Sequence, residues 1–334
     1  MPALSPQEII DAIIDAIEQS GGNAVYTSSQ VRIHPRQFAI ELPETSEIIR
    51  LWVYAWTLTP GGRPQLKNEY RIQMTSVESP LELNPHGPTV LLGYEPGLNM
   101  FAGFDIQLHK TFTPGSSSVQ INIASIHKAL QDGLSFHRKE NSEVTVGIRP
   151  DHLLTYVCNA PSLHETASSP ETVGLLSRAS ALQEIPLSKL KLLSRERRRL
   201  VQTVSRASRS ANFREVILNA YAHRCAVTRL QMRLVEAAHI LPVAAPGSID
   251  QVQNGIALSP TYHRAYDHGL IFIDSDYVMR INPKREHRLR DMNLVGGLTQ
   301  FKASLGKIHL PADRQQWPHL DLIQQANSYR RIET

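Results

Sequence analysis

The sequence predicts an α+β protein with a mixed N-terminal domain, a helical connector and a C-terminal unit of two short strands and a helix. Three observations carry that expectation. Roughly the first 158 residues alternate strand-length apolar runs with turn signals. A Ser-, Ala- and Pro-rich stretch then leads into a strongly basic run. Residues 236–269 place a short strand, a loop, a second short strand and a helix punctuated by Pro and Gly in succession. At 334 residues, 41% hydrophobic and 20% charged, the chain is long enough for two globular domains.

The N-terminal stretch "MPALSPQEIIDAIIDAIEQSGG" repeats apolar residues at helical spacing and lacks the order of a signal peptide, so it is expected as an amphipathic helix. Strand-like stretches follow in "AVYTSSQVRIH", "IIRLWVYAWTLT", "EYRIQMTSV", "TVLLGYE", "MFAGFDIQLH", "SSVQINI" and "EVTVGIRP", with one helical stretch near "ASIHKALQDGL". Turn signals "TPGGRP", "NPHGP" and "TPGSSS" separate them. These elements amount to a complete domain over residues 1–158. Trp52, Tyr54 and Trp56 share one face of their strand. Buried sheet packing is the favoured reading of that face, ahead of stacking on an extruded base. The "TPGSSSVQ" segment is expected as a plain turn rather than a phosphate-facing loop.

Residues 159 to about 187 show little periodicity and are expected as an interdomain connector, continuing as a basic helical segment to about residue 210. The net charge of +4 is concentrated between residues 189 and 214. There Lys189, Lys191, Arg195, Arg197, Arg198, Arg199, Arg206, Arg209 and Arg214 face Glu196 alone. A cluster of this kind suits nucleic-acid phosphates, the alternative being a solvated helix. Arg197, Arg198, Arg199, Arg206, Arg209 and Arg214 are the candidate phosphate contacts.

The C-terminal domain is expected over residues 211–334, closing in a helix near "HLDLIQQANSYRR". "LVEAAHILPV" reads as a strand with His239 at its end, "NGIALS" as a second strand led by Asn254, and "PTYHRAYDHG" as a short helix from Pro260 to Gly269. His263 and Asp267 stand four apart and share a helix face, so an imidazole and a carboxylate can grip one divalent ion. His268 lies about 140° around the helix and is the weaker candidate. The two cysteines, Cys158 and Cys225, are too few and too far apart for a disulfide framework or a four-thiolate zinc site. No apolar run reaches the roughly 18 residues of a membrane span, so no membrane partner and a cytoplasmic location are expected.

Residues 210–300 resemble the HNH, or ββα-metal, endonucleases through "RCAVT", "EAAHILPV" and "NGIALSPTYHRAYDHGLIFID". The resemblance implies a phosphodiester hydrolase in which His239 is the general base, Asn254 holds the base-bearing loop, and His263 and Asp267 bind the metal. It also implies double-stranded DNA as partner and a divalent cation as cofactor, Mg2+ first and Mn2+ second. Two departures stand out. Ala238 replaces the extra ligand that many members carry before the base, leaving Glu236, Asp250 or water to fill the shell. "CAVT" keeps one cysteine of the paired zinc knuckle, so no knuckle is expected and Cys225 and Thr228 should pack or hydrogen-bond instead. Upstream, "GGRPQLKNEYRIQ" and "GFDIQLHK" lack the Glu-x-Lys triplet that a second nuclease core would need.

Together these features predict a metal-dependent DNA endonuclease, expected as a prokaryotic restriction enzyme, sequence- or modification-dependent, with residues 1–158 as its reader. Because one HNH unit cuts one strand, a double-strand break implies either a homodimer or two binding events. The rival expectations are a defence effector or toxin whose N-terminal domain senses a small molecule or partner protein, and a DNA-binding protein with an inactive HNH fold. Intact His239, Asn254 and His263 count against the last.

Overall fold

The computed structural model describes residues 4–42, 47–63, 65–113, 117–166 and 169–332; positions 114–116 of the expected "TPGSSSVQ" turn lie outside them. The chain divides into two compact units, residues 1–208 and 209–334.

The first unit opens with α1 (Pro6–Gln19). Ser5 and Glu8 form a reciprocal cap, the Ser5 amide donating to Glu8 at 2.8 Å and the Glu8 amide to Ser5 at 3.3 Å. Ile9, Ile10, Ile13 and Ile17, at helical spacing, are its buried stripe. The strands that follow are β1 (Asn23–Tyr26), β2 (Arg36–Glu41), β3 (Ile48–Thr57), β4 (Thr59–Pro60), β5 (Glu69–Gln73), β6 (Thr89–Glu95), β7 (Met100–Phe104), β8 (Ser118–Asn122), β9 (Leu134–Arg138) and β10 (Val144–Ile148). Helices α2 (Ile106–His109) and α3 (Ile123–Asp132) interrupt them, and α4 (Leu153–Thr166), α5 (Pro170–Ser180) and α6 (Leu187–Leu192) come after.

Seven strands form one sheet in the order β1-β2-β3-β6-β7-β10-β9, with β3 and β6 parallel and the other neighbours antiparallel. Its central strands are buried on both faces. Val53 and Ala55 of β3 join α1, α4 and α5 in one core, whereas Tyr54 joins Ile72, Val119 and Ile121 of the small β4-β5-β8 sheet in another. The expected aromatic face is therefore occupied by the protein itself. The Tyr54 hydroxyl donates to the Glu82 carbonyl at 3.1 Å, and the His34 ring stacks on Trp56 at 4.4 Å between centroids.

Several elements differ from expectation. The strand over residues 24–34 shrinks to β1, and β2 forms just beyond it, where Phe38 and Ile40 supply the inward side chains and pairing to both β1 and β3 supplies the rest. Asp105 accepts from the Gln107 amide at 2.9 Å, turning residues 106–109 into the one-turn α2 instead of strand. The largest correction concerns residues 159–187. They are no free connector, since α4 and α5 bury Leu163, Leu175, Leu176 and Ala179 in the first core. Ser180 also accepts from the Leu134 amide at 2.8 Å and donates to the Asp132 carbonyl. On α5 two leucines and an alanine suffice as a core-facing stripe when small Ser and Ala residues flank it, so periodicity there is faint although packing is complete.

The long helix α7 (Arg195–Ala220) spans the boundary between the units in sequence. In the second unit β11 (Glu236–His239) pairs antiparallel with β12 (Gly255–Leu258), and α8 (Pro260–Asp267) follows directly. Strands β13 (Ile271–Ile273) and β14 (Met279–Ile281), helices α9 (Pro283–Asp291) and α10 (Leu298–Ala303), and a last helix α11 (Leu320–Tyr329) complete it. Phe213 and Ile217 of α7, Ile256 and Leu258 of β12, Tyr262 and Tyr266 of α8, and Ile323 and Ala326 of α11 share one core. Among the described residues no helix is long and apolar enough to cross a membrane.

Candidate functional site

The β11–β12 register sets His239 opposite Gly255, immediately after Asn254. Asn254 is fully buried and grips the loop that leaves His239. Its carbonyl oxygen accepts from the Leu241 amide at 2.8 Å, and its amide nitrogen donates to the carbonyls of Leu241 (3.1 Å) and Ile249 (2.9 Å) and to Ser248 Oγ (3.3 Å). A side chain so enclosed positions others. Asn254→Ala would strand buried backbone groups at about 1–3 kcal/mol each. A clearly lowered melting temperature and a large loss of nuclease activity are expected together, measured by thermal unfolding and a cleavage assay. Wild-type values in both would remove this role.

His239 donates from Nε2 to Asp250 Oδ1 at 3.0 Å, which leaves Nδ1 with the lone pair in the neutral ring. Its ring lies on Phe213 at 3.8 Å with 6° between planes. That contact explains the glycine of the Asn-Gly pair. Gly255 has an ordinary strand φ of −126° and needs no special turn conformation. A Cβ there would come within 1.9 Å of Ile217 Cδ1 and 3.1 Å of Phe213 Cζ. Glycine is required because α7 crosses tightly over β12 to seat Phe213 against His239.

On α8, His263 is held from both sides: Nδ1 meets Glu236 Oε2 at 2.6 Å, and Nε2 meets Asp267 Oδ2 at 3.2 Å. Burial by itself would lower its pKa, but hydrogen bonds to the Asp267 and Glu236 carboxylates outweigh burial and push it up to about 9. Ala238 is fully buried, so the position before His239 faces the core. Glu236, on the same strand side by the two-residue alternation, is the acid that reaches α8. Asp250 instead pairs with His239. His268 is exposed at the end of α8, Tyr262 and Tyr266 are packing residues, and Cys225 is buried.

The donor types suit a hard divalent cation: an imidazole, with carboxylates that supply oxygen. Among the described residues no three His, Cys, Asp or Glu groups converge as a ready-made cage. A cation that keeps several waters and takes one or two protein carboxylates fits these residues, provided it replaces the hydrogen bonds now holding His263.

The basic residues of α7 separate into different environments. Arg198 is spent on structure, donating to the carbonyls of Leu190 (3.0 Å), Lys191 (3.0 Å) and Leu193 (3.2 Å) at the end of α6. It therefore caps the end of α6. Arg197 and Arg214 are half-buried. Arg199, Arg206 and Arg209 are exposed and, spaced by seven and three, line one face.

Two residues of the site escape motif reading. Phe213 and Arg330 lie far outside the histidine cluster in sequence, and no local spacing points to either. Arg330, at the end of α11, donates from Nη1 to the Ile240 carbonyl at 2.8 Å and stacks on the Tyr266 ring at 4.4 Å.

Residues 225–274 match the family model described as HNH endonuclease, and residues 49–157 match one described as Methylase-associated X1. No curated protein matches the chain. Among solved structures, the chain is similar to a "Modification dependent TagI restriction endonuclease" at 12% identity and a TM-score of 0.29, over 84% of this chain and 81% of that one.

Proposed function

We propose, from the HNH endonuclease domain at residues 225–274, that this DNA nuclease is a restriction-type enzyme whose N-terminal unit selects the DNA and whose C-terminal unit cuts it. In this reading His239 takes the proton of the attacking water at Nδ1, while Asp250 fixes the tautomer and steadies the charge that develops on the ring. Phe213 and Asn254 hold the ring and its loop in place. His263 and Asp267, with Glu236 beside them, hold a divalent cation, Mg2+ or Mn2+. When bound, the cation supplies charge stabilisation at the phosphate and at the leaving 3′ oxygen. The water oxygen bonds to phosphorus as its proton passes to His239, the P–O3′ bond breaks, and the leaving 3′ oxygen takes a proton from solvent water, giving a 5′-phosphate and a 3′-hydroxyl; His239 then returns its proton to solvent. The single observation that carries the reading is the oriented imidazole of His239 within a unit whose next helix presents His263 and Asp267.

The restriction role rests on division of labour. The helix of a ββα unit works on the phosphate backbone, which carries no direct sequence information, so selection needs another surface. The separate N-terminal unit, matched over residues 49–157 to a methylase-associated family, is the candidate. Cutting both strands calls for two nuclease units acting together in a homodimer or for two successive binding events. The deciding experiment is digestion of one plasmid grown in methylating and non-methylating hosts, with and without Mg2+. Mg2+-dependent cutting that differs between the two DNAs is expected. Equal cutting, if no sequence preference appears in the products, would leave a nuclease without a restriction role.

A further inference from the structure

Arg330 lies well beyond the HNH match, yet its guanidinium sits between the two halves of the site. It is 7% exposed. Nη1 is engaged by the carbonyl of Ile240, the residue after His239, and the same oxygen accepts from the Tyr266 hydroxyl at 3.4 Å. Nη2 lies 3.9 Å from Asp267 Oδ1. Both Nε and Nη2 are buried without a hydrogen-bond partner. Buried guanidinium donors left unmet are costly, so the arrangement calls for an acceptor. The Asp267 carboxylate is in reach, already near one guanidinium nitrogen while its other oxygen holds His263.

We propose that Arg330 is a positioning residue of the nuclease site: it draws the Asp267 carboxylate away from His263, freeing the imidazole for the cation, while it clamps the strand that carries His239. The inference rests on the reading of His263 and Asp267 as the metal-holding pair. Arg330 would then be the tie between strand and helix, since its Nη1 holds Ile240 and its Nη2 faces Asp267, and no hydrogen bond among the described residues joins His239 to His263 or Asp267 directly. The stacking on Tyr266 fixes the plane of the fork, which a lysine cannot reproduce.

The direction of the effect separates positioning from simple electrostatics. Removing a positive charge beside a cation site should tighten cation binding if Arg330 were a bystander. A positioning role predicts the reverse. Titrating Mn2+ into full-length, DNA-free protein by calorimetry, R330Q and R330M should bind about 10-fold or more weakly, the range typical when the partner of a metal ligand is lost. R330K should fall between them and the wild type. In cleavage assays kcat should drop while KM for DNA stays unchanged. D267N is the control for the underlying reading, and it should weaken Mn2+ at least as much. If D267N weakens Mn2+ but R330Q and R330M bind it as well as or better than the wild type, this inference alone is overturned. If D267N binds normally, the metal-holding pair itself is wrong and the inference falls with it. A raised KM with normal Mn2+ affinity would make Arg330 a DNA contact instead, which also overturns it. Melting temperatures report folding, and should R330Q not fold, R330M and R330K carry the decision.

Discussion

His239→Ala is expected to slow DNA cleavage by about 10²–10⁴-fold, the usual contribution of a positioned base, while DNA affinity changes by no more than about twofold. The ring is the side chain whose free nitrogen can take a proton from water once Asp250 holds the other, and Phe213 stacks on its face. Its loss should remove the chemistry and little of the binding surface. Asp250→Asn should show a smaller loss of the same kind, because the asparagine can still orient the ring but cannot balance its charge. Triple replacement of Arg199, Arg206 and Arg209 with glutamine should do the opposite. Those exposed side chains share one face of α7, so affinity for every sequence should fall and the salt dependence should flatten by roughly 0.9 per lost phosphate contact, with kcat preserved. Filter binding across a salt series beside single-turnover cleavage separates the two. A His239→Ala enzyme that still cuts at near wild-type rate would place the base elsewhere.

Chelation of divalent cations should take cleavage below detection, and added Mg2+ or Mn2+ should restore it. His263 and Asp267 alone offer too little charge to stabilise the reacting phosphate. The fold itself should survive. The second core is built mainly from Ile, Leu, Ala and Tyr side chains, whose burial drives folding. Thermal unfolding with and without metal should therefore differ only by ligand linkage, about 2.7 kcal/mol at a cation concentration 100 times Kd. The pH dependence has a definite sign. With the His263 pKa pushed up to about 9, the metal-free ring carries a proton at neutral pH, and a cation using that nitrogen must displace it. Apparent affinity should rise as pH increases, by up to about tenfold per unit, and level off above about 9. Asp267→Asn removes one of the two carboxylates responsible and should lower the His263 pKa in an NMR titration. Full activity in excess chelator would overturn the metal assignment.

The strand–loop–strand–helix stretch that carries His239, Asn254, His263 and Asp267 was legible from sequence: helical spacing put His263 and Asp267 on one face, and the likeness to the HNH endonucleases singled out His239 and Asn254. The amphipathic spacing of α1 was likewise local. Faint periodicity hid α5, because small residues let a helix pack closely with few large apolar side chains to mark the stripe. Composition suggested one uniform basic patch on α7, yet Arg198 was taken by carbonyls at the end of α6.

What the sequence by itself determined was local: which residue types stand at which spacing in the strand–loop–strand–helix stretch, and through its likeness to the HNH endonucleases, which of them to propose as base, loop clamp and helix pair. What only the tertiary structure decided was their surroundings. Asp250 turned toward His239 and Glu236 toward His263; Phe213 arrived from α7 and Arg330 from α11; and Gly255 was needed for the closeness of α7 rather than for a turn. The physical reason is range. Backbone periodicity and capping act over a few residues and leave a pattern in the sequence. Ring stacking, charge pairing and close helix–strand contact depend on chain segments far apart in sequence being brought together by a shared core, and that meeting has no local signature.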